Sequence, residues 1–165
     1  MNVQHKVMPG RVPSLSKLPA ETVRRLRGVA SGATTAAVSS TLLLTGSSPS
    51  TTAAAEVLAH ETGREVVRVD LSKLVSQYVG ETEKNIDRLF ATVDPARTIL
   101  FFDEADALFG KRTSVKESHD RYDGADLSWL LERIEPFPTL AVFARRAANE
   151  LPPGCHFCNN IRLPD

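Results

Sequence analysis

Net charge is what this chain lacks first. Its 165 residues carry 20 Lys and Arg against 20 Asp and Glu, a formal net charge of zero. No global basic field therefore draws it to nucleic acid or to an anionic membrane. Cysteine is scarce: Cys155 and Cys158, in Cys-His-Phe-Cys, are the whole complement. One such pair is at most half a zinc site, or a redox pair, or neither. The histidines His5, His60, His119 and His156 show no metal-ligand spacing on a predicted helix, and no Ser or Cys stands in a triad context. No apolar run is long enough to span a bilayer. Met1 to Pro19 has basic residues but no apolar segment, so it does not read as a secretory signal. No internal repeat is visible. These absences predict a cytoplasmic protein with no nucleic-acid or membrane partner.

Hydrophobic residues make up 42% and charged residues 24% of the chain, which suits one globular domain with its own core. Residues 1–38 read as an N-terminal arm, a short helix and a linker, and residues 39–165 as the core domain. Met1 to Lys17 has no clear period. Leu18-Pro19 opens a helix with Val23, Leu26 and Ala30 on one face and Arg24, Arg25 and Arg27 around it. Ser31 to Ser39 is small and polar, a linker by composition. Ser40 to Thr45 predicts an apolar strand stopped by Gly46, and a helix follows over about Thr51 to Glu61. Glu65 to Leu71 alternates as a second strand. Ile86, Leu89, Phe90 and Val93 then mark a helix that Asp94-Pro95 ends. Thr98 to Phe102 is a third strand, and Gly110 to Gly124 a long charged loop. Leu127, Leu130, Leu131 and Ile134 predict another amphipathic helix, Leu140 to Ala144 a fourth strand, and Ile161 to Leu163 the start of a fifth. Such alternation predicts an α/β fold, a mostly parallel sheet with helices on both faces.

The stretch from Ile99 to Gly110, Ile-Leu-Phe-Phe-Asp-Glu-Ala-Asp-Ala-Leu-Phe-Gly, carries the most chemistry. Four large apolar residues run into Asp103 and Glu104, as in a buried parallel strand ending in two carboxylates. Ligands of open α/β sheets sit outside those carboxyl ends. An Asp there suits Mg²⁺, and a Glu suits the orientation of an attacking water. The two acids equally suit the cap of a following helix, whose dipole favours negative charge.

Tyr78 to Asn85 reads Tyr-Val-Gly-Glu-Thr-Glu-Lys-Asn, and Phe101 to Arg112 reads Phe-Phe-Asp-Glu-Ala-Asp-Ala-Leu-Phe-Gly-Lys-Arg. With these two motifs at this separation, the chain from about Ser40 to Ala144 resembles the large α/β subdomain of the AAA family of ATPases, in its bacterial form. The resemblance implies a three-layer, P-loop nucleoside-triphosphatase-like fold, truncated before the family's small helical lid. It implies ATP and Mg²⁺ as cofactors, Asp103 as the metal ligand, and Glu104 as the catalytic residue that polarises water. Gly46, Ser47, Ser48, Ser50, Thr51 and Thr52 would form the phosphate loop, and Arg146 falls where the family's strand-end polar residue positions water. Tyr78, Val79 and Gly80 match the pore loop with which ring-shaped relatives grip a threaded polypeptide.

The departures from the family pattern concentrate in one place. After Gly46 the family has two more glycines, then Lys, then Thr or Ser. Glycines let the backbone fold into a nest of N–H groups, the Lys neutralises phosphate charge, and the hydroxyl binds Mg²⁺. Aligned without gaps, this chain has Pro49 and Thr51 at the glycine positions, Thr52 for the Lys and Ala53 for the hydroxyl. Pro49 also has no N–H to donate. A slip of one residue would put Thr52 on Mg²⁺ but restores no lysine. Two readings of Gly46 to Ala53 follow: an ordinary strand-to-helix turn, or a helix N-terminus that still attracts an anion. No arginine stands in Pro152 to Cys158, where the family keeps its arginine fingers. The implied activity is Mg²⁺-dependent ATP hydrolysis driving protein remodelling, reduced here to a pseudo-ATPase. The alternatives are a non-catalytic subunit that binds protein partners in a homo- or hetero-oligomeric AAA ring, an ATPase with an unusual loop, or a truncated remnant.

Overall fold

The computed structural model describes residues 5–8, 18–35, 40–71, 81–108, 127–146 and 156–164. In chain order their elements are β1 (His5–Met8), α1 (Ala20–Thr35), β2 (Ser40–Thr45), α2 (Ser48–Thr62), β3 (Glu65–Asp70), α3 (Glu81–Thr92), β4 (Thr98–Asp103), a 3-10 turn (Ala105–Leu108), α4 (Leu127–Ile134), β5 (Leu140–Arg145) and β6 (Asn159–Arg162). The strands form one sheet in the order β1-β3-β4-β5-β2-β6. Every neighbouring pair is parallel except β1 with β3. This is the α/β architecture that the alternating pattern predicts.

The central strands read as unbroken apolar runs because both faces are covered, and successive side chains point to opposite sides. Leu42, Leu44, Ile99, Phe101, Val142 and Ala144 share one buried cluster with Leu26 of α1 and Ala54, Val57 and Leu58 of α2. Leu43, Leu100, Phe102, Ala141 and Phe143 share the other with Ile86 and Leu89 of α3 and Leu130 and Ile134 of α4. Phe102 stacks on Phe143 at 4.8 Å between ring centroids, and Phe157 meets Phe143 edge-on at 5.3 Å.

Three local expectations give way to the structure. The patternless arm contributes β1, whose Val7 lies opposite Val67. Four residues are too few to show a period, but their backbone groups satisfy the otherwise open edge of β3. Helix α1 runs to Thr35, past the small residues read as the start of a linker. Propensity there is a weak prior, since Ser31 and Gly32 continue the helix on its exposed side. Helix α2 begins at Ser48, three residues earlier than expected, with a proline in its first turn. Proline is tolerated there because the N–H it lacks has no helical partner anyway.

The layering places the carboxyl ends of β2, β4 and β5 side by side under the start of α2, with Thr45 in register with Arg145. Phe143, fully buried between aromatic partners, anchors the opposite face of that edge. Phe143→Ala is expected to cost about 3–5 kcal/mol, read as a lowered midpoint in urea unfolding.

Candidate functional site

The chain turns from β2 into α2 through Gly46 and Ser47 alone. Ser47 is the N-cap residue in extended conformation, with no side-chain capping bond. The Thr51 N–H already donates to the Ser47 carbonyl at 2.9 Å as the first helical bond. The Thr51 hydroxyl donates to the Ser48 carbonyl at 3.1 Å, and the Ser47 hydroxyl donates to Ser50 Oγ at 3.0 Å. Ser50 Oγ in turn donates to the Pro164 carbonyl at 3.2 Å. The Ser47, Ser50 and Thr51 hydroxyls, three of those expected to face phosphate, are thus engaged with the loop itself and with the segment after β6. Helical winding from Ser48 and an open phosphate nest are mutually exclusive uses of one backbone.

Gly46 has a different task here from the one its motif position suggests. A Cβ on it would lie 2.9 Å from Leu163 Cβ. Its N–H donates to the Arg145 carbonyl at 2.9 Å, while the Leu163 N–H donates to the Thr45 carbonyl at 2.7 Å. Only a glycine allows the chain just after β6 to run this close to the end of β2.

Asp103 and Glu104 stand at the end of β4, as expected. Asp103 Oδ2 accepts from Arg68 Nε at 2.9 Å and also from Arg68 Nη2, and Oδ1 accepts the Glu104 N–H at 2.9 Å. The Arg68 guanidinium lies 5.8 Å from the centre of the Phe101 ring. Glu104 is exposed and has a φ of 60°, a left-handed conformation that costs a non-glycine residue about 1–2 kcal/mol. That residue bends the chain off the strand into the 3-10 turn. Asp106, in the same turn, accepts the Arg146 N–H at 2.9 Å.

Arg145 is buried, and its Nε donates to Thr45 Oγ1 at 3.0 Å. Burial pushes its pKa down, the charge of Arg162 adds to this, and Asp106 opposes it. An arginine keeps its proton through such a shift, so a fixed positive charge sits among the acids. Arg146 is exposed and is held here by its backbone N–H.

Gly46, Ser48, Thr51, Asp103, Glu104, Asp106, Arg145 and Arg146 line one hollow of about 10 Å³, room for roughly one water. Ligand pockets are typically about 300–1,000 Å³. A separate open cleft of about 300 Å³ lies beside α2, walled by Ser48, Pro49, Thr52, Ala53, Glu56 and Arg68. These residues do not fit MgATP. No lysine among the described residues lines the hollow, Ala53 offers no hydroxyl, and both Asp103 oxygens already hold donors. Of the residues singled out from sequence, the structure brings Gly46, Ser48, Thr51, Asp103, Glu104 and Arg146 together. Thr52 faces the outer cleft, and Ser47 and Ser50 bond to each other.

Sequence reasoning missed Arg68 and Asp106, and it placed Arg145 beside Arg146 near the strand end without foreseeing that Arg145 is buried. Asp106 had a signal in the second Asp of Asp-Glu-Ala-Asp. Arg145 had one in the strand-end pair Arg145-Arg146. Arg68 had only its place two residues before a strand end. The pore-loop residues Tyr78, Val79 and Gly80 lie outside the described residues, as does Cys155, and Cys158 is exposed with a free thiol. No group of three or more His, Cys, Asp or Glu suited to a metal occurs among the described residues. Nor is any helix among them long and apolar enough to cross a membrane. Gly46→Ala is expected to destabilise the fold by about 1–3 kcal/mol, as an overpacked position does, measured by chemical denaturation.

Known proteins are similar to this chain in sequence. The chain is 38% identical over 86 residues to a proteasome-activating nucleotidase of Methanoregula boonei, covering 52% of this chain and 20% of that protein. It is 41% identical over 69 residues to an uncharacterized AAA family ATPase of Sinorhizobium fredii, covering 42% of this chain and 21% of that one. A proteasome-activating nucleotidase of Pyrococcus abyssi is 36% identical over 84 residues, 50% of this chain and 21% of the relative. The chain thus spans about a fifth of the length of the curated relatives it matches. The profile of the ATPase family associated with various cellular activities (AAA) matches residues 42–153, and the chain belongs to that family.

Proposed function

We propose that this chain is a non-hydrolysing AAA domain, a pseudo-ATPase that works through protein contacts. The observation that carries this reading is the start of α2 at Ser48, which winds the phosphate-loop segment into helix. Family members bind triphosphate with a backbone nest, a lysine and a hydroxyl. Here Pro49 removes a donor, Thr51 has spent its N–H within the helix, and Thr52 stands in the lysine position. Removal of a single preorganised donor from an active site typically costs about 10²–10³ in rate. Loss of several at once leaves no plausible route to turnover, even though such effects do not add.

Asp103 and Glu104 remain, as they would in a domain descended from an ATPase. Asp103 lies beneath α2 as part of an ion pair, and Glu104 is a solvent-facing acid at a bend. Without phosphate, neither has a substrate to act on. The partners fitting this reading are proteins: further copies of this chain, or hydrolysing AAA subunits that it would join in a mixed ring. The relatives include a 26S proteasome regulatory subunit 4 homolog, which supports a subunit role. A cytoplasmic location fits such a partnership. Tyr78, Val79 and Gly80 are the residues through which a polypeptide would be held, and residues 39–165 would form the AAA core.

Titration with a fluorescent ATP analogue, with and without Mg²⁺ and with Asp103→Ala as control, tests the reading. The expected result is no binding up to millimolar nucleotide in a protein that still melts cooperatively. Micromolar binding that needs both Mg²⁺ and Asp103 would overturn it.

A further inference from the structure

We propose that Arg68, reaching Asp103 from the cleft beside α2, is the built-in counter-cation of that carboxylate and keeps it from a divalent ion. The inference rests on the reading of a closed phosphate loop and adds the reason the acid tolerates it.

The sheet register sets the problem. Asp70 and Asp103 are partners on the adjacent parallel strands β3 and β4. Asp106 follows three residues later, and the exposed Glu104 lies between. Neighbouring carboxylates on one sheet edge repel, and a cation has to stand among them. The register also supplies the answer. Arg68 is opposite Phe101, and the period of two sends Arg68, Phe101 and Asp103 to the face covered by α2. From there the guanidinium lies over the Phe101 ring and gives two N–H groups to Asp103 Oδ2.

The pair is largely withdrawn from water. The side chains retain 33% exposure for Arg68 and 15% for Asp103. The other carboxylate oxygen receives the Glu104 N–H. An incoming divalent cation would have to displace a planar donor that cannot give up its charge by deprotonation. It would also meet the fixed charge of Arg145 across the hollow. Arg68 is therefore a positioning residue whose presence keeps Asp103 from metal.

Mn²⁺ titration without nucleotide, following the spectroscopic signal of the free ion, tests this on the wild type, Asp103→Asn, Arg68→Met and Arg68→Met/Asp103→Asn. Methionine keeps an apolar stem over Phe101 and removes the charge. The expected result is an Mn²⁺ site in Arg68→Met at least about tenfold tighter than in wild type, absent from the double variant. Added Mg²⁺ should raise the melting temperature of Arg68→Met and leave that of the wild type unmoved. Equal affinity in wild type and Arg68→Met would overturn the proposal, as would wild-type Mn²⁺ binding that Asp103→Asn abolishes. If Arg68→Met folds only with divalent cation, metal-dependent refolding supports the proposal. If it folds under neither condition, Arg68→Lys decides. A point charge suffices for a counter-cation, so this variant should fold and ignore Mg²⁺; its failure would make Arg68 a packing residue. Nucleotide binding by the wild type without metal would instead overturn the closed-loop reading alone.

Discussion

A parallel sheet covered on both faces delivers its strand ends to one edge, and in this protein that edge is acidic. Asp70, Asp103, Glu104 and Asp106 all fall at or just beyond the carboxyl ends of β3 and β4. In a half-buried setting the repulsion among them is not screened as it is in water. The demand for positive charge follows from the fold itself and does not depend on catalysis. The chain meets it with Arg68 on Asp103 and with Arg145 beside Asp106. A charged hydrogen-bonded pair of this kind is worth about 1–3 kcal/mol, toward the lower figure where water still reaches it. Its loss would cost more than its presence contributes, since an isolated carboxylate would remain under α2.

Helix α2 responds to the same edge. An open phosphate loop leaves several N–H groups without protein partners, an arrangement suited to a bound anion. With Pro49, Thr51 and Thr52 in the loop, that segment has neither the glycines to open nor the lysine to attract phosphate. Winding from Ser48 satisfies the Thr51 N–H and ties the Ser47 and Ser50 hydroxyls together. It also lets the chain after β6 run close to Gly46, where Ser50 bonds the Pro164 carbonyl. The glycine that looks like a remnant of a phosphate loop is required by strand packing.

The fold was legible in the sequence because its signals are local and redundant. The apolar runs of β2, β4 and β5 and the period of α3 each stand alone, and their alternation implies parallel pairing. β1 was not legible, since four residues carry no period and its partner β3 lies some sixty positions away. The acids of the site were legible as a motif. Their neutralisation was not: Arg68 is 35 residues from Asp103, and only the strand register brings the two together. The extent of α2 was misjudged because Ser48-Pro49-Ser50 resembles a turn by composition, while a proline in the first turn is compatible with helix.

Missing catalytic residues in a chain of this family can reflect simple decay or a settled non-catalytic state, and the two differ in how the remaining charges are treated. Decay of the phosphate loop alone would leave the acidic edge as it was in an ATPase, dependent on a metal for its neutrality. Here two acids of the edge, Asp103 and Asp106, have basic or backbone donors from the same chain. Asp103 has Arg68 and the Glu104 N–H, and Asp106 has the Arg146 N–H and the field of Arg145. Glu104, the acid left facing water, can remain solvated without a partner at little cost. Among the described residues, Asp103 and Asp106 therefore have partners within the chain and need none from a ligand, a condition that a domain stable without nucleotide would have to meet.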